Sequence, residues 1–211
     1  MGTTAFAASD HNIGDIVTFA GYDWYIIGTE SEGVTAPEGC YTLFAKNNDF
    51  GSTAFRAGAE STNSTANYYK NSDLQKKMEE IANGFSTEDR ANIAARDTLD
   101  GIAGESPTGQ LLWPISEAEW NSIDQSLRAF PDNYWSRTNR MGTGADWVDL
   151  YNILAFNTSG STSPGGPEAF RMGSPVTDTY AVRPALYVKA EALPEKVEGI
   201  QVCLLYTSDA A

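Results

Sequence analysis

The order of local patterns along the chain predicts an α+β fold. Segments rich in β-branched and aromatic residues come first, helical patterns with capping residues follow between positions 71 and 128, and strand patterns return in the last third. This order is typical of α+β domains, here a mixed antiparallel sheet with two to three flanking helices. No repeat of about 20 to 50 residues is found, so we expect one domain over residues 13–190.

The first strands are predicted to form a hairpin. Strand-like residues at Ile16–Phe19 and 23–27 flank Gly21 and Tyr22, the spacing of a tight antiparallel turn. A further strand is predicted at 41–45. Later strands are predicted at 111–115, 134–138, 169–172 and 180–188. We expect the first and last strands to pair, which would bring the two ends of the domain together.

The most regular helix is predicted after Ser72. Ser72 and Gln75 have the spacing of a capping box, in which each side chain accepts a hydrogen bond from a free backbone N–H of the first turn. Leu74 and Met78 begin an apolar stripe at helical spacing, and Gly84 occupies the position of a C-terminal cap. The pattern predicts a helix of about three turns.

Two shorter helices are predicted after further serines. The second runs from Ser86 to Ala95, and the third begins after Ser116 with Trp120 and Leu127 on one face. A hydroxyl before a helix caps backbone N–H groups, so we interpret these serines as caps rather than nucleophiles.

The charge of the chain disfavours two classes of partner. Its 28 acidic and 14 basic residues give a formal net charge of -14. Binding to nucleic acid requires clustered Lys and Arg that release counterions from phosphates, and adhesion to an anionic membrane requires a similar patch. No apolar run approaches the ~20 residues that span a bilayer. We expect neither a nucleic-acid partner nor direct membrane insertion.

Few residues are available for catalysis. Catalytic triads and histidine zinc sites both need histidine side chains in the folded domain. The only histidine is His11, in a segment expected to be flexible, so we expect neither kind of site. Cys40 is the only cysteine within the expected domain, and neither a P-loop nor a G-x-G-x-x-G motif after a strand is found. A pair of facing carboxylates remains possible, with Asp146, Asp149 or Glu168 as candidates for a glycan-active enzyme.

Calcium is a second chemistry that the sequence leaves open. Asp and Asn cluster at 47–49, 132–133 and 146–152, and oxygen-rich loops are what this cation requires. The spacing of an EF-hand is missing, and solvated turns account for the same residues. We therefore expect no cofactor, with calcium as the alternative.

The tryptophans divide into two groups. Trp147 lies between Asp146 and Asp149, close to Tyr151 and Asn152, in a segment expected to be a loop. Aromatic rings beside carboxylates and amides are common in ligand sites, so Trp147 either contacts a ligand or covers the core. The others fall within strand or helix patterns and are expected in the core: Trp24, Trp113, Trp120 and Trp135.

The two ends are expected to lie outside the domain. Residues 1–12 contain the triplet Ala-Phe-Ala, which fits the cleavage region of a signal peptide, or they form a flexible terminus. Residues 191–202 are interpreted as a linker or the start of a further domain in a larger chain. Residues 203–211, with Cys203, resemble the translated adaptor sequence that ends many metagenomic gene fragments.

Six short motifs follow one another with defined spacing. They are NNDFGST at 47–53, YKNSDL at 69–74, FSTED at 85–89, LWPISE at 112–117, YWSRT at 134–138 and VRPAL at 182–186. In this order they resemble a family of extracellular domains of unknown function from gut Firmicutes, whose fold is C-type-lectin-like. The resemblance covers residues 13–190.

The resemblance implies where a ligand binds. The same fold occurs in the variable proteins of diversity-generating retroelements, in adhesins and in formylglycine-generating sulfatase modifiers, and the long loop region before its last strand displays the binding residues. Here that region is 139–174. The candidate ligand-binding residues are Asn139, Arg140, Asp146, Trp147, Asp149, Tyr151, Asn152 and Arg171.

The resemblance also implies structural roles for Trp135, Arg137 and Arg183. Trp135 and Arg137 match the Trp-x-Arg strand of the family, and Arg183 lies in its closing strand. A buried arginine such as Arg183 needs a carboxylate or several carbonyl groups, so we expect it to be a structural anchor.

The chain lacks the characteristic residues of two groups of proteins that share this fold. It lacks the Glu-Pro-Asn or Gln-Pro-Asp loop and the two disulfides of calcium-dependent lectins, and the reactive cysteine pair of the sulfatase modifiers. The remaining group predicts a secreted or cell-surface, non-enzymatic recognition module. Its partner would be a protein or glycan on a host, bacterial or phage surface. The alternatives are the carboxylate-dependent enzyme named above and a structural spacer of a larger surface protein.

Overall fold

Two β-sheets form the frame of the protein, with short helices packed against them. The structure is a computed structural model and describes residues 11–59, 66–98, 107–141, 151–156 and 174–196. The α+β class with mixed, largely antiparallel sheets is confirmed.

Groups of strands and groups of helices follow one another along the chain. In chain order they are β1 Ile16–Phe19, β2 Tyr22–Gly28, β3 Cys40–Ala45, β4 Ser52–Ala54, α1 Asp73–Gly84, α2 Thr87–Ala91, β5 Ile93–Ala94, β6 Trp113–Pro114, α3 Glu117–Ser122, α4 Gln125–Arg128, β7 Tyr134–Met141, β8 Tyr151–Phe156, β9 Ser174–Pro175, β10 Thr179–Ala181 and β11 Pro184–Lys189. A 3-10 turn, Ala190–Ala192, follows β11.

Each sheet has its own strand order. The first sheet runs β1-β2-β3-β11-β5, with β6 also pairing β11, and every pair in it is antiparallel. The second sheet runs β4-β10-β7-β8-β9, where β10 and β7 are parallel and the other pairs antiparallel. The apolar core lies against both sheets and includes the four tryptophans predicted there: Trp24, Trp113, Trp120 and Trp135.

The serine caps are present, with one difference at α1. The Ser72 hydroxyl accepts a hydrogen bond from the Gln75 N–H at 3.0 Å, but the Gln75 side chain accepts from the Asn71 N–H rather than completing a capping box. Gly84 is the last helical residue, and Phe85 ends the helix in an extended conformation. A full capping box occurs at α3.

The second and third helices differ from the sequence prediction. The second ends at Ala91 rather than Ala95, because Ile93 and Ala94 leave it to pair with β11 as β5. The third is interrupted, and Asp124 caps the separate helix α4 by accepting from the Ser126 N–H. Both differences arise from pairing and capping partners that helical periodicity does not reveal.

The strand predicted at 180–188 is two strands in different sheets. β10 belongs to the second sheet and β11 to the first, and Val182 and Arg183 carry the chain between them. The predicted pairing of the first and last strands is also wrong, since β2 and β3 lie between β1 and β11. Composition identifies extended residues, but it does not show which sheet they join.

The ends of the described chain nevertheless meet. The His11 ring lies 3.0 Å from the Pro194 carbonyl, and Lys196 Nζ contacts the Asp15 carboxylate at 2.8 Å. The His11 side chain is 6% exposed in this arrangement. Leu193 is also buried, so residues beyond the expected boundary at 190 pack on the domain.

Arg183 is buried completely at the crossing between the sheets. Its guanidinium donates to the carbonyl oxygens of Ala45, Leu127 and Arg128 at 2.9, 2.9 and 2.7 Å. It also lies over three aromatic rings, those of Phe44, Phe130 and Tyr134. Burial lowers the pKa of Arg183 to about 10, so the group keeps its charge at neutral pH. Of the two kinds of partner considered for Arg183, a carboxylate or several carbonyls, these are carbonyls.

The first hairpin turn is Ala20-Gly21, one residue earlier than predicted. Tyr22 already belongs to β2 and pairs with Phe19. Ala20 and Gly21 have φ values of 51° and 82°. Positive φ at both central residues is the requirement of the turn that suits the twist of a hairpin. Glycine meets it freely, whereas alanine is strained there.

We expect Ala20→Gly to stabilise the protein. Relief of the positive φ contributes about 1 to 2 kcal/mol, and the greater entropy of an unfolded glycine removes roughly half of it, leaving a gain near 0.5–1 kcal/mol. Urea unfolding measures the free energy. As the control, Ala118→Gly on the exposed face of α3 should lose about 1 kcal/mol, and a loss at both positions would contradict the strained turn.

We expect Arg183→Lys to destabilise the protein by about 2–4 kcal/mol. An ammonium group cannot reach three divergent carbonyls, and each buried acceptor left unpaired costs roughly 1–3 kcal/mol. Urea unfolding again gives the free energy. Arg90→Lys on α2 is the matched control and should change it by less than about 0.5 kcal/mol. Equal effects of the two substitutions would show that Arg183 is not an anchor.

Candidate functional site

The end of the β7–β8 hairpin brings four of the predicted ligand residues together. Arg140 is paired with Asn152, Met141 with Tyr151, and Asn139 with Ile153 on the adjacent strand. Residues opposite each other in an antiparallel pair are about 5 Å apart. We call residues 139–141 and 151–152 the hairpin end. The four ligand candidates in it are Asn139, Arg140, Tyr151 and Asn152.

The hairpin end corrects one expectation about region 139–174. The sequence suggested a continuous loop, but the region contains the end of β7, all of β8 and the first residue of β9. β8 pairs with β7 on one side and with β9 on the other. The apolar and aromatic residues of β8, Tyr-Asn-Ile-Leu-Ala-Phe, are the signal that could have identified this strand.

Other candidates lie outside the described residues. These are Asp146, Trp147, Asp149, Glu168 and Arg171, together with the strand predicted at 169–172. Asp146, Trp147 and Asp149 belong to the segment that connects β7 to β8, so in sequence they are within five residues of the Met141–Tyr151 pair.

A bulge in β7 sets the position of the hairpin end. Trp135 pairs with Ala155 and Asn139 with Ile153, so β7 uses two more residues than β8 over the same stretch. Within the bulge, the Arg137 N–H donates to the Ile115 carbonyl at 3.1 Å. The bulge therefore turns β7 toward the chain between β6 and α3, and the hairpin end lies beyond this fixed point.

Trp135 fixes the other side of the same strand. It is fully buried, and its indole N–H donates to the Thr53 carbonyl on β4 at 2.8 Å. Its ring contacts Phe55 and Tyr180 edge to face. Trp135 thus links β7 to the β4–β10 side of the second sheet.

Arg137 lies in a buried ionic cluster below the bulge. Its guanidinium donates to the Pro114 carbonyl at 2.7 Å and to one oxygen of Glu119. Arg96 contacts the other oxygen of Glu119 and lies over the Trp113 ring. The resemblance implies a structural role for Arg137. No local pattern links Arg96 to α3, so the sequence does not indicate a role for Arg96.

The electrostatics of Glu119 show that it is a structural carboxylate. Burial alone raises its pKa, but the charges of Arg137 and Arg96 and the Ser116 N–H outweigh burial and hold the pKa below its usual value. Both carboxylate oxygens face arginines, so the group is held ionised. A general acid needs the opposite, a proton that it can give up near neutral pH.

Cys40 is also unsuited to act as a catalytic nucleophile. It is buried at the start of β3, and burial raises the pKa of its thiol. The thiolate is the nucleophilic form, so a raised pKa makes this cysteine unreactive at neutral pH.

Two of the three oxygen-rich segments considered for calcium meet in the fold. The Asn48 amide donates to the Asp132 carboxylate at 2.6 Å, although the two residues are far apart in sequence. Among the described residues, no group of three or more His, Cys, Asp or Glu side chains is arranged to hold a metal ion. The third segment, 146–152, lies mostly outside them.

We expect Glu119→Gln to destabilise the protein in a pH-dependent manner. The folded pKa of Glu119 lies below the reference value of 4.5, so its ion pairs stabilise the fold fully above that value and are lost as pH falls through the folded pKa. At pH 7 the loss should be about 3 kcal/mol, because two buried arginine contacts lose their charge partner.

Urea unfolding at pH 7 and at pH 3 checks this expectation. The difference between wild type and Glu119→Gln should be smaller at pH 3 than at pH 7. Glu88→Gln, an exposed carboxylate on α2, is the control and should show little difference at either pH. A pH-independent effect of Glu119→Gln would contradict the ionised cluster.

Comparisons with known proteins add no relative. The chain matches no protein-family model, and neither a curated protein nor a solved structure is significantly similar to it. In the part of the chain that the structure covers, no helix has the length and apolarity to cross a membrane. The site therefore has to be interpreted from its own geometry.

Proposed function

We propose that this protein is a non-enzymatic recognition domain with a C-type-lectin-like fold. It binds a protein or glycan ligand through the hairpin end, residues 139–141 and 151–152. The observation that carries the proposal is the pairing of Arg140 with Asn152, which gathers candidate ligand residues at the end of one hairpin.

The residue types at the hairpin end favour recognition. Arginine and tyrosine are enriched at the centres of protein interfaces, because each combines a large contact area with directional hydrogen bonds. Asparagine adds both a donor and an acceptor, which suits the hydroxyl groups of a glycan. Residues of these types are paired on adjacent strands here, with Asn139 and Arg140 on β7 and Tyr151 and Asn152 on β8.

The architecture supports the C-type-lectin-like assignment. Residues near His11 and Pro194 meet, the closing strand β11 lies inside the first sheet, and a separate sheet carries the hairpin. Helices flank the sheets, as the resemblance implies. In that fold the long loop region before the last strand displays the binding residues, and the hairpin end lies in the corresponding region, 139–174.

The chemistry of the described residues favours binding over catalysis. A strongly perturbed carboxylate in a cleft is the usual sign of an acid–base enzyme. The perturbed carboxylate here, Glu119, is buried and held ionised by Arg96 and Arg137. Its perturbation has a structural cause.

The proposal also includes the cellular location of the domain. A net charge of -14 suits a secreted or surface-displayed protein whose partner is neither nucleic acid nor an anionic membrane. We place the domain on a bacterial cell surface, within a larger multidomain chain.

We expect Arg140→Ala and Asn152→Ala each to weaken ligand binding at least about tenfold, the effect of losing one hydrogen bond at the centre of an interface. The full chain is first applied to a glycan array and to a panel of cell-surface proteins. The affinity of each variant for the ligand found is then measured by surface plasmon resonance.

Arg90→Ala on α2 is the matched control and should bind like wild type. Trp147→Ala and Asp149→Ala extend the test to the segment between β7 and β8. The proposal is contradicted if no ligand is found on either panel. It is also contradicted if the ligand found binds equally well to wild type, Arg140→Ala and Asn152→Ala.

A further inference from the structure

A polar cavity of about 310 Å³ lies at the start of β7, away from the hairpin end. It opens where β4, β10 and β7 come together. The lining residues come from three separate parts of the chain: Asn48, Ser52, Asp132, Asn133, Thr179, Tyr180 and Ala181. A volume of this size suits a small ligand or one unit of a larger one.

Backbone hydrogen bonds hold the three parts together. The Ala181 N–H donates to the Asn133 carbonyl at 2.9 Å, and the Val182 N–H donates to the Gly51 carbonyl at 2.9 Å. Above them the Asn48 amide reaches the Asp132 carboxylate at 2.6 Å. The cavity is therefore formed by β4, β10 and the two connections that carry Asn48 and Asp132–Asn133, which these bonds hold together.

The side chains offer both donors and acceptors at close range. Asn48 and Asn133 each carry an amide, Asp132 a carboxylate, and Ser52 and Thr179 hydroxyl groups. The oxygen atoms of Asp132 can accept further bonds beyond the one from Asn48, since a carboxylate has about four acceptor positions. A ligand that both donates and accepts at neighbouring atoms matches this set.

The charges of the residues that line the cavity limit the kinds of ligand that it can bind. Among the described residues that line it, Asp132 is the one carboxylate and none is a lysine or arginine, which disfavours an anion. One carboxylate is also too few for a calcium site, which uses six to eight oxygen ligands. A neutral molecule with several hydroxyl groups satisfies the amides and the carboxylate together.

We propose that this cavity binds a neutral saccharide unit without a metal ion. The saccharide hydroxyls donate to Asp132 and accept from the Asn48 and Asn133 amides. The site is separate from the hairpin end, because Ala181 pairs with Tyr134 at the first residue of β7 whereas Asn139–Met141 end the strand. The two are roughly 20 Å apart along β7.

An NMR titration of the full, ¹⁵N-labelled chain tests this proposal. The probes are the methyl glycosides of glucose, galactose, mannose and N-acetylglucosamine. At least one should shift the backbone amides of Ser52, Asn133 and Ala181 in a saturable manner. Asn48→Ala and Asp132→Ala should each weaken that binding about tenfold or more, because each removes a hydrogen-bonding group.

Asn47→Ala is the matched control, since Asn47 is an exposed neighbour that does not line the cavity. It should bind like wild type. Chelation of calcium with EDTA should leave the shifts unchanged, and the anionic sugar N-acetylneuraminic acid should not bind. Thermal unfolding of each variant verifies that it is folded.

Several outcomes would overturn the proposal. These are the lack of saturable shifts with every neutral glycoside, equal affinity of Asn48→Ala and Asp132→Ala to wild type, a requirement for calcium, or tighter binding of N-acetylneuraminic acid. Arg140→Ala should leave this binding unchanged. That variant separates the cavity from the hairpin end, so the two proposals stand or fall independently.

Discussion

The structure depends on one buried cation, the guanidinium of Arg183. It lies where the chain leaves the second sheet for the first, and it donates to Ala45 at the end of β3 and to Leu127 and Arg128 at the end of α4. The last carbonyls of a helix have no partners within the helix, so the same group completes α4 and joins it to both sheets. In the described part of the chain, carbonyl oxygens and aromatic rings, rather than a carboxylate, offset the loss of water around this charge.

β7 connects the region around Arg183 to the candidate site. Its first half is buried, and the bulge after Trp135 is fixed through the Arg137 N–H bond to Ile115 and the contact of Arg137 with Glu119. The second half continues into the hairpin end. A ligand residue held on a paired strand loses less entropy on binding than one on a free loop. Under the proposed function, the bulge and its ionic cluster therefore contribute to recognition without touching a ligand.

Local features could be predicted from the sequence, and distant ones could not. The cap at Ser72 and the strands near the start of the chain depend on neighbouring residues, so pattern alone finds them. The division of 180–188 between two sheets depends on what Arg183 contacts, and β5 forms at Ile93 because β11 lies beside it. For the site, the sequence identified the residues that β7 and β8 bring together. It did not predict their pairing, because the register across a hairpin end is a tertiary property.

The partners of Arg183 have a consequence for how this domain can change over evolutionary time. Those that the structure describes come from β3, α4, Phe130 and Tyr134, and not from the hairpin end. Substitutions at the hairpin end leave the anchor and these acceptors in place, so they do not expose the fold to the cost of an unpaired buried charge. Under the proposed function, new binding specificities can therefore accumulate there one residue at a time, with little selection against them for lost stability.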